Sequence, residues 1–283
     1  MNVGIVGLGL IGGSLGRAIV SKTTDNVYAF DISQKAMDTG RLLNAYHEPL
    51  NEKNVGDLDV IFFSLYPDAL ENAIIEYAPK LKDGCLVCDC CGNKRRIVKT
   101  MKELGEKYPS LQFISTHPMA GREFSGVNHS TSTLFDKASM ILVPVKAEIE
   151  TIAKLKEYSL SLGFGSVVIT TADKHDEIIA FTSQLAHLVS SAYIKSDRAT
   201  QYMGFSAGSF RDMTRVAKLS SEMWSQLTID NADYLVEELD SFIIHLTEYK
   251  TALKNRNTQK MKELLEDGNV RKIQSEKLKK VNK

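Results

Sequence analysis

The chain reads as an α/β protein: a doubly wound, mostly parallel sheet over residues 1–170, followed by an all-helical segment over residues 171–283. Three observations predict this. Short, nearly continuous apolar runs alternate with amphipathic helical periods through the first half, as expected of strands covered by helices on both faces. The texture changes after Thr170, and from Asp173 to Lys279 the pattern is helical with no convincing strand. No proline follows Pro144, so nothing in that half breaks a long helix.

The elements follow in order. Val3-Gly4-Ile5-Val6 is a buried strand, and a helix runs from Gly12 to Ser21. Asn26 to Phe30 is the next strand, and Gln34 to Leu43 the next helix. Asp59 to Ser64 and Cys85 to Cys88 are strands separated by a helix from Asp68 to Leu81. Arg95 to Tyr108 is helical, and Gln112 to Ser115, Ser139 to Val143 and Phe164 to Ile169 complete the strands. Beyond them, the long apolar periods at Glu177 to Ala192 and Ala232 to Leu253 predict helices buried against each other, with a partner chain as a second way to cover them. The tail from Arg271 to Lys283 reads as a solvated, fraying helix.

Composition narrows the function. Lys plus Arg and Asp plus Glu both number 35, so the formal charge is zero and nothing sequence-wide favours nucleic acid or an anionic membrane as partner. No apolar run reaches the roughly 18 residues of a membrane span. The N-terminus lacks the basic region of a signal peptide, and glycines interrupt its apolar stretch. The expectation is a compact, soluble, cytoplasmic protein. All four cysteines, Cys85, Cys88, Cys90 and Cys91, fall on or beside one buried strand. Adjacent strand residues point to opposite faces, so they read as structural free thiols rather than metal ligands or a redox pair, as suits a reducing compartment.

Gly7-Leu8-Gly9-Leu10-Ile11-Gly12 follows the first strand and opens the first helix. Alone, GxGxxG is a weak signal, but this context is that of a Rossmann-type dinucleotide site. Gly7 permits the tight turn, Gly9 lets backbone approach a pyrophosphate, and Gly12 lets helix pack closely on strand. Asp31 ends the second strand, 19 residues after Gly12. Its carboxylate would accept from the ribose hydroxyls and repel a 2′-phosphate, which favours NAD over NADP.

Three further segments specify more: Thr116-His117-Pro118-Met119-Ala120-Gly121-Arg122-Glu123-Phe124-Ser125-Gly126, His175-Asp176 with Ser183-Gln184-Leu185-Ala186-His187, and Ser209-Phe210-Arg211-Asp212-Met213-Thr214-Arg215-Val216-Ala217 followed by Met223-Trp224 and Asn231. With the glycine fingerprint, these resemble the prephenate/arogenate dehydrogenase family of tyrosine biosynthesis, in the family's order and over nearly the whole chain. The resemblance implies NAD-dependent oxidative decarboxylation of prephenate, or of arogenate, with His117 deprotonating the ring hydroxyl. It implies that Arg215 binds a substrate carboxylate, the alternative being an ion pair with Asp212. His187 becomes a substrate-pocket residue, and His175 either shapes the pocket or anchors a helix. Glu123 joins a polar network controlling access. It also implies a homodimer through the helical half. Arg211 reads as solvated, and Trp224 and Asn231 as core or interface residues. No role attaches to His47, His129 or His245.

Two departures stand out. The family's D-x-x-S-x-K loop reads Asp89-Cys90-Cys91-Gly92-Asn93-Lys94, so the serine that bonds substrate and histidine is Gly92. A water, Cys91 or Asn93 would have to replace it. The family's SHLPH reads SQLAH, which keeps only the final histidine, His187. No segment remains for a ligand-sensing ACT domain or a fused mutase, so tyrosine would act only at the active site. The competing readings are a β-hydroxyacid dehydrogenase or pyrroline-5-carboxylate reductase, which share the Rossmann-then-helices order, and a catalytically silent NAD-binding regulator. The first normally places a catalytic lysine in the helical domain, and the last has no need of His117 and Arg215.

Overall fold

The computed structural model describes residues 1–281, with two compact units, Met1–Ala232 and Asp233–Lys283. In the first, β1 (Asn2–Val6), β2 (Asn26–Phe30), β3 (Glu48–Pro49), β4 (Val60–Phe63), β5 (Leu86–Asp89), β6 (Gln112–Pro118), β7 (Ser139–Lys146) and β8 (Ser166–Ile169) form one sheet. Its order is β3-β2-β1-β4-β5-β6-β7-β8. The chain therefore winds outward in both directions from β1, and the switch point between β1 and β4 is where open α/β sheets bind ligands, beyond the strands' carboxyl ends.

Five helices cover this sheet: α1 (Leu10–Lys22), α2 (Gln34–Leu42), α3 (Pro67–Tyr77), α4 (Arg95–Lys107) and α5 (Ile149–Ser161). Strand alternation divides the core into two layers. Val3, Ile5, Phe62, Cys88 and Ile114 share one cluster with Leu15 and Ile19 of α1 and Leu155 of α5. Ile61, Phe63, Val87 and Phe113 share the other with Leu70 and Ile74 of α3 and Met101 and Leu104 of α4. Each such side chain, fully buried, contributes about 1.5–3 kcal/mol. Burial on both faces is why these strands are continuously apolar.

Two details depart from the sequence reading. The last two strands run against the rest: β7 pairs antiparallel to β6, and β8 parallel to β7. The reason lies in residues 119–138, which contain no α-helix. Without a crossover helix the chain must turn back at the edge it has reached, and an antiparallel neighbour results. β3 was not foreseen, because two residues ending in a proline at a sheet edge carry no strand pattern.

Still within the first unit come α6 (Ala172–Ile179), α7 (Ala186–Tyr193), α8 (Gly208–Thr214) and α9 (Ser221–Asp230). The single helical period expected over Glu177 to Ala192 is interrupted by a π-helical stretch, Ala180–Leu185. Such bulges are frequent at functional sites. This one turns the Gln184 side chain inward, where its Nε2 donates to Asn93 Oδ1 at 2.9 Å and to the Leu227 carbonyl at 3.1 Å.

The second unit holds α10 (Ala232–Lys254) and α11 (Thr258–Val281). Both carry exposed apolar side chains: Val236, Ile243, Ile244, Leu246 and Leu253 on α10, and Leu265, Val270 and Ile273 on α11. Residues 271–277 of the basic tail are solvent-exposed helix, and the remaining side chains of that tail lie outside the described residues. Among the described residues no helix is long and apolar enough to cross a membrane.

Candidate active site

The glycine turn is built as its sequence requires. Gly7 has φ +96°, and a Cβ there would strike the Ser64 carbonyl of the neighbouring strand end. A Cβ at Gly12 would overlap the Gly7 carbonyl oxygen, so α1 can lie this close only without a side chain. Gly9 differs, because no atom lies within 4 Å of a Cβ built on it. The open space above Gly9, at the N-terminus of α1, is of the kind that could take a dinucleotide's phosphates. Asp31 closes the turn from β2, accepting from Leu8 N at 2.7 Å and Ser33 N at 2.8 Å. The loop after β6 closes it from the other side. Thr131 N donates to Ser14 Oγ at 3.0 Å, and Arg17 donates to the Ser130 carbonyl.

A buried polar cluster stands at the carboxyl ends of β5 and β6. Asp89 and Lys94 are both 0% exposed, and Lys94 Nζ lies 2.5 Å from Asp89 Oδ2. The same carboxylate accepts from Ser115 Oγ at 2.5 Å, Cys91 N at 2.7 Å and Thr116 N at 3.2 Å, while Lys94 Nζ also donates to the Thr116 carbonyl at 2.6 Å. This locks the ends of β5 and β6 together immediately before His117.

His117 itself is half-buried. Its Nδ1 lies 2.9 Å from Nε2 of His175, whose Nδ1 lies 2.7 Å from Asp176 Oδ1. His175 and Asp176 are buried, and the N-terminus of α4 meets them there: Lys94 N donates to Asp176 Oδ1 at 2.8 Å and Arg95 N to Oδ2 at 2.9 Å. Burial, then His175 and the Lys94 cation, hold the His117 imidazole well below its ordinary pKa. Burial does the same to His175, although Asp176 opposes it. Both rings are thus neutral at neutral pH. Burial opposes ionisation of Asp176, yet the hydrogen bonds from His175, Arg95 N and Lys94 N hold its carboxyl below the usual range.

Around this line lies a second set of buried amides. Asn231 Nδ2 donates to the Asp176 carbonyl at 2.9 Å and to Gln184 Oε1 at 2.8 Å, and its Oδ1 accepts from Arg95 Nη2 at 2.9 Å. Asn93 Nδ2 donates to the Leu227 carbonyl at 2.7 Å. These bonds tie the loop after β5 to α6, the π-helical stretch and the end of α9. At Gly92 a Cβ would approach Leu227 Cδ2 and Cδ1 at 3.2 and 3.3 Å, so leucine side chain occupies the space where the family's serine would begin.

The substrate residues implied by resemblance form two further groupings. Arg215, just after α8, is 61% exposed and pairs with Glu123 across the chain at 2.7 Å, not with Asp212. Arg215 in turn holds the Glu123 carboxyl below its ordinary pKa. His187 on α7 packs its ring against Trp224 of α9, centroids 3.9 Å apart, and its Nδ1 bonds to the Ser183 carbonyl at 2.8 Å. Burial, with Arg215 close enough to add to it, lowers the His187 pKa.

The cysteines divide between the two faces of the sheet, Cys85 and Cys91 packing with one layer and Cys88 and Cys90 with the other. All are free. Burial pushes Cys85 and Cys90 up to about 12 and Cys91 to about 11, which leaves them protonated and unreactive.

Sequence reasoning passed over Lys94, Asp89, Asp176, Arg95 and Gln184 as site residues. Asp89 and Lys94 stood at the ends of the family's loop motif and Asp176 beside His175, but only the fold shows that they meet.

Residues 15–169 match the family model described as prephenate dehydrogenase, nucleotide-binding domain, and residues 171–267 that of prephenate dehydrogenase, dimerization domain. The chain is 31% identical to a cyclohexadienyl dehydrogenase of Zymomonas mobilis over 267 residues, 90% of this chain and 89% of that one. Its fold is that of the Synechocystis arogenate dehydrogenase crystal structure (TM-score 0.80, 23% identity, 97% of this chain and 100% of that one). It is equally that of the Aquifex aeolicus prephenate dehydrogenase crystallised with hydroxyphenyl propionate and NAD+ (TM-score 0.81, 23% identity, 97% and 98% covered). With a nucleotide-binding model over more than half its length and a curated relative matched almost end to end, the chain belongs to the prephenate dehydrogenase family of oxidoreductases.

Proposed function

We propose that this protein is an NAD-dependent dehydrogenase that oxidatively decarboxylates prephenate to 4-hydroxyphenylpyruvate. The observation that carries the reading is His117, a neutral histidine at the carboxyl end of β6 with one ring nitrogen held by His175 and the other left for substrate. Gly7, Leu8, Gly9, Leu10, Ile11 and Gly12 fit a dinucleotide: the space above Gly9 would hold the pyrophosphate, and Asp31 would accept from the adenosine ribose hydroxyls and repel a 2′-phosphate. The cofactor, when bound, supplies the hydride acceptor.

Prephenate is a cyclohexadiene with a hydroxyl and a hydrogen at C4 and a carboxylate across the ring. His117 takes the hydroxyl proton as C4 gives up its hydride, and such base catalysis is typically worth about 10²–10⁴-fold. The carboxylate's bond electrons then enter the ring as CO2 leaves, the ring becomes aromatic, and the proton returns from His117 to the phenolic oxygen. Arg215 offers a planar two-pronged donor to a substrate carboxylate. Its exposure and its pairing with Glu123 serve this: the guanidinium is held in place while substrate exchanges for, or shares it with, Glu123. His187, seated on Trp224, lines the pocket, and His175 backs His117.

Residues 1–170 would then bind NAD and residues 171–283 bind substrate and pair two chains; the two family models meeting between residues 169 and 171 support this division. The exposed apolar residues of α10 and α11 support a homodimer. Light scattering giving one chain mass at micromolar concentration would remove the dimer. Arogenate, which carries an amine in place of the side-chain keto group, is the second substrate to test, since a fold relative is an arogenate dehydrogenase. The experiment is NADH formation from NAD+ with each substrate, repeated with His117→Asn. Turnover that the variant loses by orders of magnitude while still binding NAD+ supports the reading. Absence of turnover on both substrates overturns it.

A further inference from the structure

The line from His117 through His175 to Asp176 ends at a charge and begins at the reacting group. We propose that His175 and Asp176 are positioning residues that fix His117 as the Nδ1–H tautomer, so that its Nε2 lone pair faces the substrate hydroxyl. The proposal rests on the reading of His117 as the base.

An ionised carboxylate only accepts hydrogen bonds. Asp176 Oδ1, at 2.7 Å, therefore requires a proton on His175 Nδ1. His175 is buried and neutral, so its second nitrogen, Nε2, carries a lone pair. That lone pair lies 2.9 Å from His117 Nδ1 and requires a proton there. His117 is neutral as well, which leaves Nε2 unprotonated. A charged His175 would donate from both nitrogens and put the His117 proton on Nε2, abolishing the base. Burial and the neighbouring Lys94 cation oppose that state. In this chain no serine hydroxyl stands at position 92 to orient His117, and Leu227 fills the space beside Gly92. The orientation comes from the histidine behind it.

Asp176→Asn tests the relay because its geometry predicts a flip. The amide must place its NH2 at one of two positions. At the Oδ2 position it would face two donors, Arg95 N at 2.9 Å and Arg95 Nε at 3.4 Å. At the Oδ1 position it faces one, Lys94 N at 2.8 Å, and can donate to His175 Nδ1. The second placement is better. It reverses His175, whose Nε2–H then donates to His117 Nδ1 and leaves the His117 proton on Nε2, pointing at the substrate. Carboxylate-to-carboxamide replacement costs a serine-protease triad about 10⁴-fold in kcat through the same tautomer error.

Histidine-selective 15N NMR of the NAD+-bound wild-type protein reads the tautomer directly. A proton on His117 Nδ1 supports the relay, and a proton on Nε2 overturns it without any variant. Asp176→Asn is expected to reverse the His117 pattern and lower kcat by about 10²–10⁴-fold with the KM for NAD+ unchanged. Folded Asp176→Asn with wild-type kcat overturns the proposal. His175→Gln, whose Oε1 stands near the place of Nε2 and accepts from His117, is expected to retain kcat within about tenfold, while His175→Phe falls as far as Asp176→Asn. Equal loss in the two His175 variants, both with native melting, overturns it too. If wild-type protein turns over neither prephenate nor arogenate, the catalytic reading fails, and the wild-type spectrum still decides the tautomer.

Discussion

The buried pair of Lys94 and Asp89 gives a prediction whose sign depends on which partner is removed. Both side chains are fully buried, 2.5 Å apart, but they are unequally supported. Without Lys94, the Asp89 carboxylate keeps three donors: Ser115 Oγ, Cys91 N and Thr116 N. Lys94→Met should therefore cost about the net worth of one charge-assisted hydrogen bond, roughly 1.5–3 kcal/mol. Without the Asp89 charge, the buried ammonium keeps only neutral acceptors, the Thr116 carbonyl and at most an amide oxygen. In Asp89→Asn the amide does best with its NH2 toward Ser115 Oγ, which can turn to accept, but it then faces the Thr116 N–H and offers Lys94 only a neutral oxygen. Leaving a buried charge uncompensated costs about 3–5 kcal/mol. Asp89→Asn should thus be less stable than Lys94→Met by roughly 2 kcal/mol, read from urea midpoints at an unchanged slope. Lys94→Met carries a second signature. The Lys94 cation helps hold the His117 pKa down, so its removal should move the acid limb of the pH–rate profile to higher pH. Equal stabilities, or the reverse order, would refute the accounting of partners. An unmoved acid limb would refute the electrostatic link to His117.

Four further outcomes follow from the same structure. Gly9→Ala should leave the melting temperature of the free protein unchanged while weakening NAD+ binding in calorimetry, whereas Gly12→Ala should destabilise the free protein, because only the latter Cβ meets backbone; a lowered melting temperature for Gly9→Ala sinks the assignment of that space to cofactor. His117 and His175 have pKa values lowered by burial, so the unfolded chain binds more protons below its histidine pKa of about 6.5. Stability should be fully present above that pH and fall as pH drops toward the lowered native values, by up to about 1.4 kcal/mol per pH unit for each histidine, with a shallower slope in His117→Asn. A flat urea midpoint across that window counts against both shifts. Asp31→Asn should raise the KM for NAD+ about tenfold, some 1.4 kcal/mol, and narrow the preference over NADP+; undiminished discrimination would assign it to other residues. Glu123→Gln removes a solvent-screened ion pair, so the melting temperature should barely move while the KM for substrate shifts; an unchanged KM would separate Glu123 from the substrate's path.

Much of this was legible in the residues. Period-two and period-3.6 apolar patterns come from burial on one or two faces, and burial is a property of each segment's own surroundings in any α/β layer. The strands and most helices therefore stood out, as did the glycine turn, whose constraints are local backbone sterics. The π-helical stretch did not, because Ala180–Leu185 keeps the composition of an ordinary helix and its widening answers to Asn93, Leu227 and Asn231, distant in sequence. The reversal of β7 left only an indirect trace, twenty residues without a helical period.

Residue order alone was enough for the layered α/β core, the glycine turn with Asp31 beside it, and the histidine and arginine at the positions the family motif marks. Tertiary structure alone decided which of these touch. It set His175 and Asp176 behind His117, Lys94 under the end of β6, and Glu123 rather than Asp212 on Arg215. The physical reason is range. Secondary structure follows from interactions a few residues apart, whereas a hydrogen-bonded chain between residues 58 apart exists only once strand, loop and helix have packed, and its protons settle where that packing leaves them.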